Sequence, residues 1–235
     1  MAVVNKKRAH NAILILESPW GLDDTDNNRT SVLPFIEGAA KRAGDTEVYH
    51  ANFYDKSSFN KALECITRSS FDNSIIYIAA HGYKKKVGEV NIDHILFEVG
   101  ELSKTHNITG IMFGSCFVGE NITSIEVYLQ ETSIRWCAGY ASSTWWFEGT
   151  LIDTALISYL SALGHEGYSS KDSMIEAFSD AIKPFAENFA IGQDYKERLV
   201  SLKDSLKIVI QPTGRGYRAR DVTDIVFEHV KESRL

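Results

Sequence analysis

Two side chains in this sequence have the types and the setting for covalent chemistry. His81 is followed by Gly82, and Cys116 ends the triplet Gly114-Ser115-Cys116. A cysteine sulfur is a competent nucleophile at neutral pH even when only a few per cent of it is ionised. An imidazole titrates where it can take a proton and return it, a contribution typically worth about 10²–10⁴-fold in rate. Side by side they are the parts of an acyl-transfer centre. Gly114 and Ser115 let the backbone turn sharply at the cysteine and aim N–H groups at a developing oxyanion. Gly82 permits close backbone approach and a second such donor. Cys65, within Lys61-Ala62-Leu63-Glu64-Cys65-Ile66, and Cys137, within an apolar run, read instead as buried small residues. The other histidines (His10, His50, His94, His106, His165 and His229) lack a strand-end setting.

Both reactive residues close apolar runs, Ser74-Ile75-Ile76-Tyr77-Ile78-Ala79-Ala80 and Ile108-Thr109-Gly110-Ile111-Met112-Phe113. Short, β-branched and stopped by glycine, these runs are predicted as buried strands. If the strands are parallel, the imidazole and the thiol emerge at one carboxyl edge, where open α/β sheets hold their ligands. Further strands are predicted at Asn11 to Glu17, Glu47 to Tyr54, Ile134 to Ala141 and Leu206 to Gln211, six in all. Helices are predicted from Thr30 or Ser31 through Arg42, over Ser57 to Thr67, Asn121 to Glu131, Gly149 to Leu163 and Ser170 to Phe189, the last kinked or split by Pro184. Asp93 to Thr105 is helical or mixed, Tyr195 to Leu206 is read as helical, Gly82 to Ile92 as a hairpin-like excursion, and the tail from Arg215 as one short element. Strands alternating with helices predict a mainly parallel six-stranded sheet with helices on both faces. No repeat or linker divides the chain, so residues 1–235 are read as one domain with a core at about 11–212.

Composition narrows the function classes. A net charge of −6 argues against nucleic-acid binding, and no apolar stretch reaches the length of a membrane span. The run Ala12 to Leu16 is too short for a signal-peptide core, and three widely spaced cysteines do not make a disulfide framework, so a cytoplasmic location is expected. No cofactor is predicted. Neither G-x-G-x-x-G nor P-loop spacing follows a strand, no Cys/His cluster has zinc spacing, and the acidic run Asp23 to Asp26 lacks the calcium-loop pattern.

With its histidine and cysteine motifs in that order, the chain resembles the caspase-like cysteine peptidases, the caspase-hemoglobinase fold. The segments that carry the likeness are Ile76-Tyr77-Ile78-Ala79-Ala80-His81-Gly82 and Ile111-Met112-Phe113-Gly114-Ser115-Cys116. The segment Ala138-Gly139-Tyr140-Ala141-Ser142-Ser143-Thr144-Trp145-Trp146, with its following amphipathic helix, is similar to the bacterial CHAT branch. The resemblance implies a three-layer sandwich, Cys116 as nucleophile, His81 as acid/base and an oxyanion hole from the N–H groups of Gly82 and Cys116. It implies that Ser142, Ser143, Thr144, Trp145 and Trp146 line the substrate cleft, with core packing the competing reading for the two tryptophans. It also implies that the loop after the first strand helps to form the P1 pocket. There, Asp23 or Asp24 would pair with a basic P1 side chain, Arg29 would select an acidic one, and the tryptophans would suit an apolar one. These alternatives stay open in the sequence.

The expected activity is that of an endopeptidase acting on a protein or peptide substrate through an acyl-enzyme, and the resemblance implies regulated bacterial proteolysis tied to defence or cell death. The short stretch between Cys116 and Ile134 carries no long cleavable linker, so a single-chain enzyme is expected, either competent as made or switched by a partner protein. The rival reading is an inactive caspase-like module that binds a peptide or protein partner in the same cleft.

Overall fold

The computed structural model describes residues 10–20, 30–69, 71–214 and 216–234. Its centre is a seven-stranded sheet. In chain order the strands are β1 (Asn11–Glu17), β2 (Thr46–Asn52), β3 (Asn73–Ala79), β4 (Ile108–Gly114), β5 (Trp136–Tyr140), β6 (Leu206–Ile210) and β7 (Arg220–Asp221). They lie side by side as β7-β6-β5-β4-β3-β1-β2. Strands β1 to β5 are mutually parallel, whereas β6 and β7 run antiparallel to their neighbours.

The helices of eight residues or more are α1 (Leu33–Ala43), α2 (Lys56–Ile66), α3 (Ile92–His106), α4 (Ile122–Leu129), α5 (Trp146–Ser161), α6 (Lys171–Ile182) and α7 (Thr223–Glu232). Side chains alternate faces along each strand, so each central strand feeds two cores. Ile13, Ile15, Ile75, Tyr77 and Met112 pack with α1, α5, α6 and α7 on one face. Leu14, Leu16, Ile76, Ile78, Ile111 and Phe113 pack with α2, α3 and α4 on the other. Burial on both faces explains why these strands read as unbroken apolar runs.

Register decides what reaches the carboxyl edge. Glu17 is level with Ala79, and Ala79 with Gly114. The turns after β1, β3 and β4 therefore leave the sheet at one height.

Several sequence expectations are corrected. The sheet has seven strands rather than six, because Arg220–Asp221 pairs with β6 as a short edge. The tail thus holds a strand and a ten-residue helix, not one element. Residues 195–206 are not a helix. They belong to a hairpin of Ala190–Gln193 with Leu199–Ser201, a single helical turn at Leu202–Ser205 and the start of β6. The hairpin lies at the carboxyl edge, and the Ala141 N–H donates to the Ser205 carbonyl at 2.7 Å. The chain therefore enters the sheet beside Tyr140 and has to run down it, which makes β6 antiparallel. Helix α6 stops at Ile182, before Pro184. Helix α1 has Val32 at its N-cap without a side-chain cap, and the Ser31 hydroxyl donates to Glu17 instead.

Candidate active site

The His-Gly and Cys turns meet. Between the histidine turn and α3 the chain makes a small sheet of Gly82–Tyr83, Lys86–Val87 and Val90–Asn91, tied back by the Gly88 N–H donating to the His81 carbonyl at 2.7 Å. A Cβ at Gly82 would sit 2.1 Å from the Cys116 carbonyl oxygen and 2.7 Å from its nitrogen. Only glycine lets these two backbones lie so close. Directly after the nucleophile candidate, Phe117 takes φ 61°, a sharp left-handed turn. Its ring stacks on Tyr195 of the hairpin at 4.2 Å, and Tyr195 donates to Glu120 at 2.9 Å.

His81 is exposed, and its Nε2 lies 2.7 Å from the Trp20 carbonyl. A carbonyl only accepts, so Nε2 carries the proton of this bond and a neutral ring keeps Nδ1 free for proton transfer. The Trp20 ring also meets the imidazole edge-on at 5.3 Å.

Cys116 is half-buried. Burial raises its thiol above the ordinary range, while the N–H groups of Thr144, Gly82 and Cys116 itself pull it back part of the way. The resting sulfur is therefore a neutral thiol, and the Thr144 N–H lies 3.3 Å from it. The Gly82 and Cys116 backbones are in direct contact beside the sulfur, so their N–H groups lie close to it.

A small pocket of about 20 Å³ opens beside the sulfur. Trp20, Ser115, Thr144, Trp145 and Trp146 are among its walls, and Tyr77, Tyr140 and Asp153 also line it. Asp153, only 2% exposed, accepts from Tyr77 at 2.7 Å and from Tyr140 at 2.5 Å. Burial pushes its carboxyl up to about 7, with the two tyrosine hydrogen bonds acting in the opposite direction. Gly114 makes room for it, since a Cβ there would meet the Asp153 Oδ2 at 2.5 Å. The Ser115 and Thr144 hydroxyls and the Trp146 indole nitrogen are buried without partners among the described residues.

The structure thus brings His81, Gly82, Cys116, Thr144, Trp145 and Trp146 to one place. Ser142 and Ser143 are adjacent but do not line the pocket. Ser142 bonds Ser205 at 2.7 Å, and Ser143 exchanges hydrogen bonds with Gln193 of the hairpin at 2.8 and 2.9 Å. Asp23, Asp24 and Arg29 lie outside the described residues. Cys137 is buried as expected, but Cys65 is exposed on α2, a correction that follows from its place outside that helix's apolar stripe.

Sequence reasoning missed Asp153 and Trp20. Asp153 left a signal: an acid on the stripe of Gly149, Leu156, Ile157 and Leu160, which faces the core. Trp20 left none beyond its position after the first strand, because it contributes a backbone carbonyl.

No protein-family model matches the chain, and no curated protein does. Among solved structures it is similar to a secreted C11 cysteine protease from Bacteroides thetaiotaomicron, determined with an irreversible peptide inhibitor. That match has a TM-score of 0.52 at 8% identity, over 86% of this chain and 66% of the protease. A second likeness is to the complex of the pro- and mature domains of RgpB from Porphyromonas gingivalis, with a TM-score of 0.46 at 10% identity, over 75% of this chain and 44% of the other. The chain spans about two thirds and under half of these proteins, respectively. The first likeness establishes the fold: a mixed α/β sandwich of the caspase-like type, with a mostly parallel sheet between helical layers.

Proposed function

We propose that this chain is a caspase-like cysteine endopeptidase with Cys116 as nucleophile and His81 as acid/base. The observation that carries the reading is the contact of the Gly82 backbone with that of Cys116 at the rim where His81 also emerges, with the Thr144 N–H 3.3 Å from the sulfur. In the first half-reaction Sγ bonds to the scissile carbonyl carbon, and the thiol proton passes to His81 Nδ1. The N–H groups of Gly82 and Cys116 receive the charge on the carbonyl oxygen. Collapse breaks the C–N bond, and Nδ1 returns the proton to the leaving amine. Water then attacks the acyl-enzyme with His81 as base, releasing the carboxylate and restoring the thiol.

The pocket supports a basic P1 residue. Asp153 is an acid in its wall, a candidate added to the Asp23 or Asp24 of the sequence reading, and the indole walls suit the aliphatic stem of a lysine or arginine. The C11 protease was captured with a peptide inhibitor, which agrees with a peptide-binding cleft in this fold. The wider reading is a single domain working in the cytoplasm in CHAT-type regulated proteolysis, in defence or cell death, with a protein partner as its switch.

The test is a peptide-library cleavage profile of the wild type beside Cys116→Ala and Asp153→Asn. Cleavage after lysine or arginine that disappears in the first variant and loses its P1 preference in the second is the expected result. Cleavage that survives in Cys116→Ala overturns the assignment.

A further inference from the structure

Glu17 is a carboxylate at the end of a strand whose five preceding residues, Ala12 to Leu16, are apolar, and it is 3% exposed. It touches neither the sulfur nor the imidazole, yet it gathers donors from three segments. Its Oε1 accepts from the Trp20 indole N–H at 3.0 Å and from the Val32 N–H at 3.0 Å. Its Oε2 accepts from the Ser31 hydroxyl at 2.6 Å and bonds His50 Nε2 at 2.9 Å. Burial raises the carboxyl, but the bonds from His50, Ser31, Val32 and Trp20 outweigh it and hold the group below its ordinary range. It is an anion saturated with donors.

Trp20 follows β1 and Ser31-Val32 precedes α1, so one carboxylate holds these two segments together. Trp20 is in contact with His81 in two ways, through its carbonyl on Nε2 at 2.7 Å and through its ring edge.

We propose that Glu17 is a positioning residue for His81, acting through Trp20: the carboxylate fixes the indole, the fixed residue presents its carbonyl to Nε2, and that bond selects the ring tautomer with Nδ1 free. The inference rests on the peptidase reading for its effect on turnover, but not for its effect on the ring.

Two variants test it on the intact chain. Trp20→Phe keeps the carbonyl and an aromatic ring and removes the N–H that Glu17 holds, together with the bulk of the second ring. Glu17→Leu keeps approximate bulk and removes every acceptor. Nitrogen-15 spectra of labelled histidine report the His81 Nε2–H directly, and its exchange with water is expected to quicken at least tenfold in both variants. A positioning error on the order of 1 Å lowers rate by about 100-fold, so kcat of Glu17→Leu is expected to fall roughly 10- to 100-fold while KM moves less than about threefold. Glu17→Gln should lose less than Glu17→Leu, since its amide oxygen still serves Trp20 and Val32 and its NH₂ group suits Ser31 and His50 as acceptors. If Glu17→Leu does not fold, Trp20→Phe decides alone. Unchanged Nε2–H exchange in folded Trp20→Phe overturns the proposal. A wild type that hydrolyses no peptide removes the peptidase reading, and the spectra still decide the role of Glu17.

Discussion

Gly82→Ala is the sharpest perturbation the geometry offers, because it adds one methyl group at the point where the two reactive turns touch. The new Cβ would lie 2.1 Å from the Cys116 carbonyl oxygen, 2.7 Å from its nitrogen and 2.9 Å from its carbonyl carbon. All three atoms are backbone, so no side chain can rotate away. Ordinary contact begins at 3.4 Å, and the turns therefore have to part by more than 1 Å. Gly82 is not among the glycines with positive φ, so the effect is steric rather than conformational. Displacement on this scale costs about 100-fold in rate, and withdrawing one oxyanion donor costs about 10²–10³-fold. We expect kcat/KM to fall by roughly 10²–10³ and stability by about 1–3 kcal/mol, the usual penalty of overpacking.

The assay is hydrolysis of a fluorogenic lysyl or arginyl peptide, run beside thermal melting. Gly38→Ala is the control. It lies within α1 with nothing within 4 Å of its Cβ, and should raise stability by about 0.5–1 kcal/mol with no change in rate. Because turnover presumes the substrate class, the alkylation rate of Cys116 is measured in parallel. Folded Gly82→Ala with kcat/KM and Cys116 alkylation both within threefold of wild type would refute the argument that this contact sets the site.

Although burial raises its thiol, Cys116 should react with iodoacetamide faster than the exposed Cys65 because His81 takes its proton, a preference that His81→Ala should abolish, while buried Cys137 stays intact. Equal rates at Cys65 and Cys116, read by peptide mass mapping, count against an activated thiol. The Asp153 carboxyl holds its proton to about 7 when folded, against an unfolded value of 3.8. Between those values the native state binds more protons than the unfolded chain, so stability falls as pH rises from about 4 to about 7. Asp153→Asn should flatten that slope in denaturant titrations, and a slope equal to wild type contradicts it. KM for a lysyl peptide should fall as pH climbs through about 7 in wild type and stay level in the asparagine variant. A Cβ at Gly192 would stand 1.9 Å from the Ser143 carbonyl oxygen, so Gly192→Ala should push the hairpin off the segment that carries Thr144. The readout is slower peptide hydrolysis with a melting point lowered by only a few degrees, and wild-type kinetics would exclude a role for the hairpin.

The centre of the fold was legible because parallel strands covered on both faces leave a signature that little else mimics. Ile75 to Ala79 and Ile111 to Phe113 are apolar throughout, and their glycine stops locate the carboxyl edge to within a residue or two. Parallel pairing then puts His81 and Cys116 at one rim without further information. What lay beyond reach were features set by contact rather than by pattern. The 190–201 hairpin has no strong alternation, and its charged tip reads as helix. Its conformation comes from bonds to Ser143 and Trp145, which are remote in sequence. The direction of β6 depends on where that hairpin hands the chain back. Cys65 looked buried because α2 is rich in apolar residues, yet its phase on the helix turns it outward.

The site is best understood as a set of edges brought to one level. The turn after β1 supplies Trp20, the turn after β3 supplies His81 and Gly82, the turn after β4 supplies Cys116, and the segment after β5 supplies Thr144. Each turn is fastened to a neighbour by something other than the groups that would react. Glu17 ties the first, Gly82 against Cys116 joins the second to the third, and the hairpin holds the fourth through Ser143 and Trp145. The sulfur and the imidazole themselves are held only through the backbone and ring of their neighbours, the Thr144 N–H for the one and Trp20 for the other. Rigidity therefore resides in the fastenings, where buried polar groups are satisfied and glycines admit backbone contact. Substitutions at Glu17, Gly82 and Gly192 should then impair a site whose chemical groups are all intact. An active centre built mainly from its reactive side chains would instead tolerate these changes.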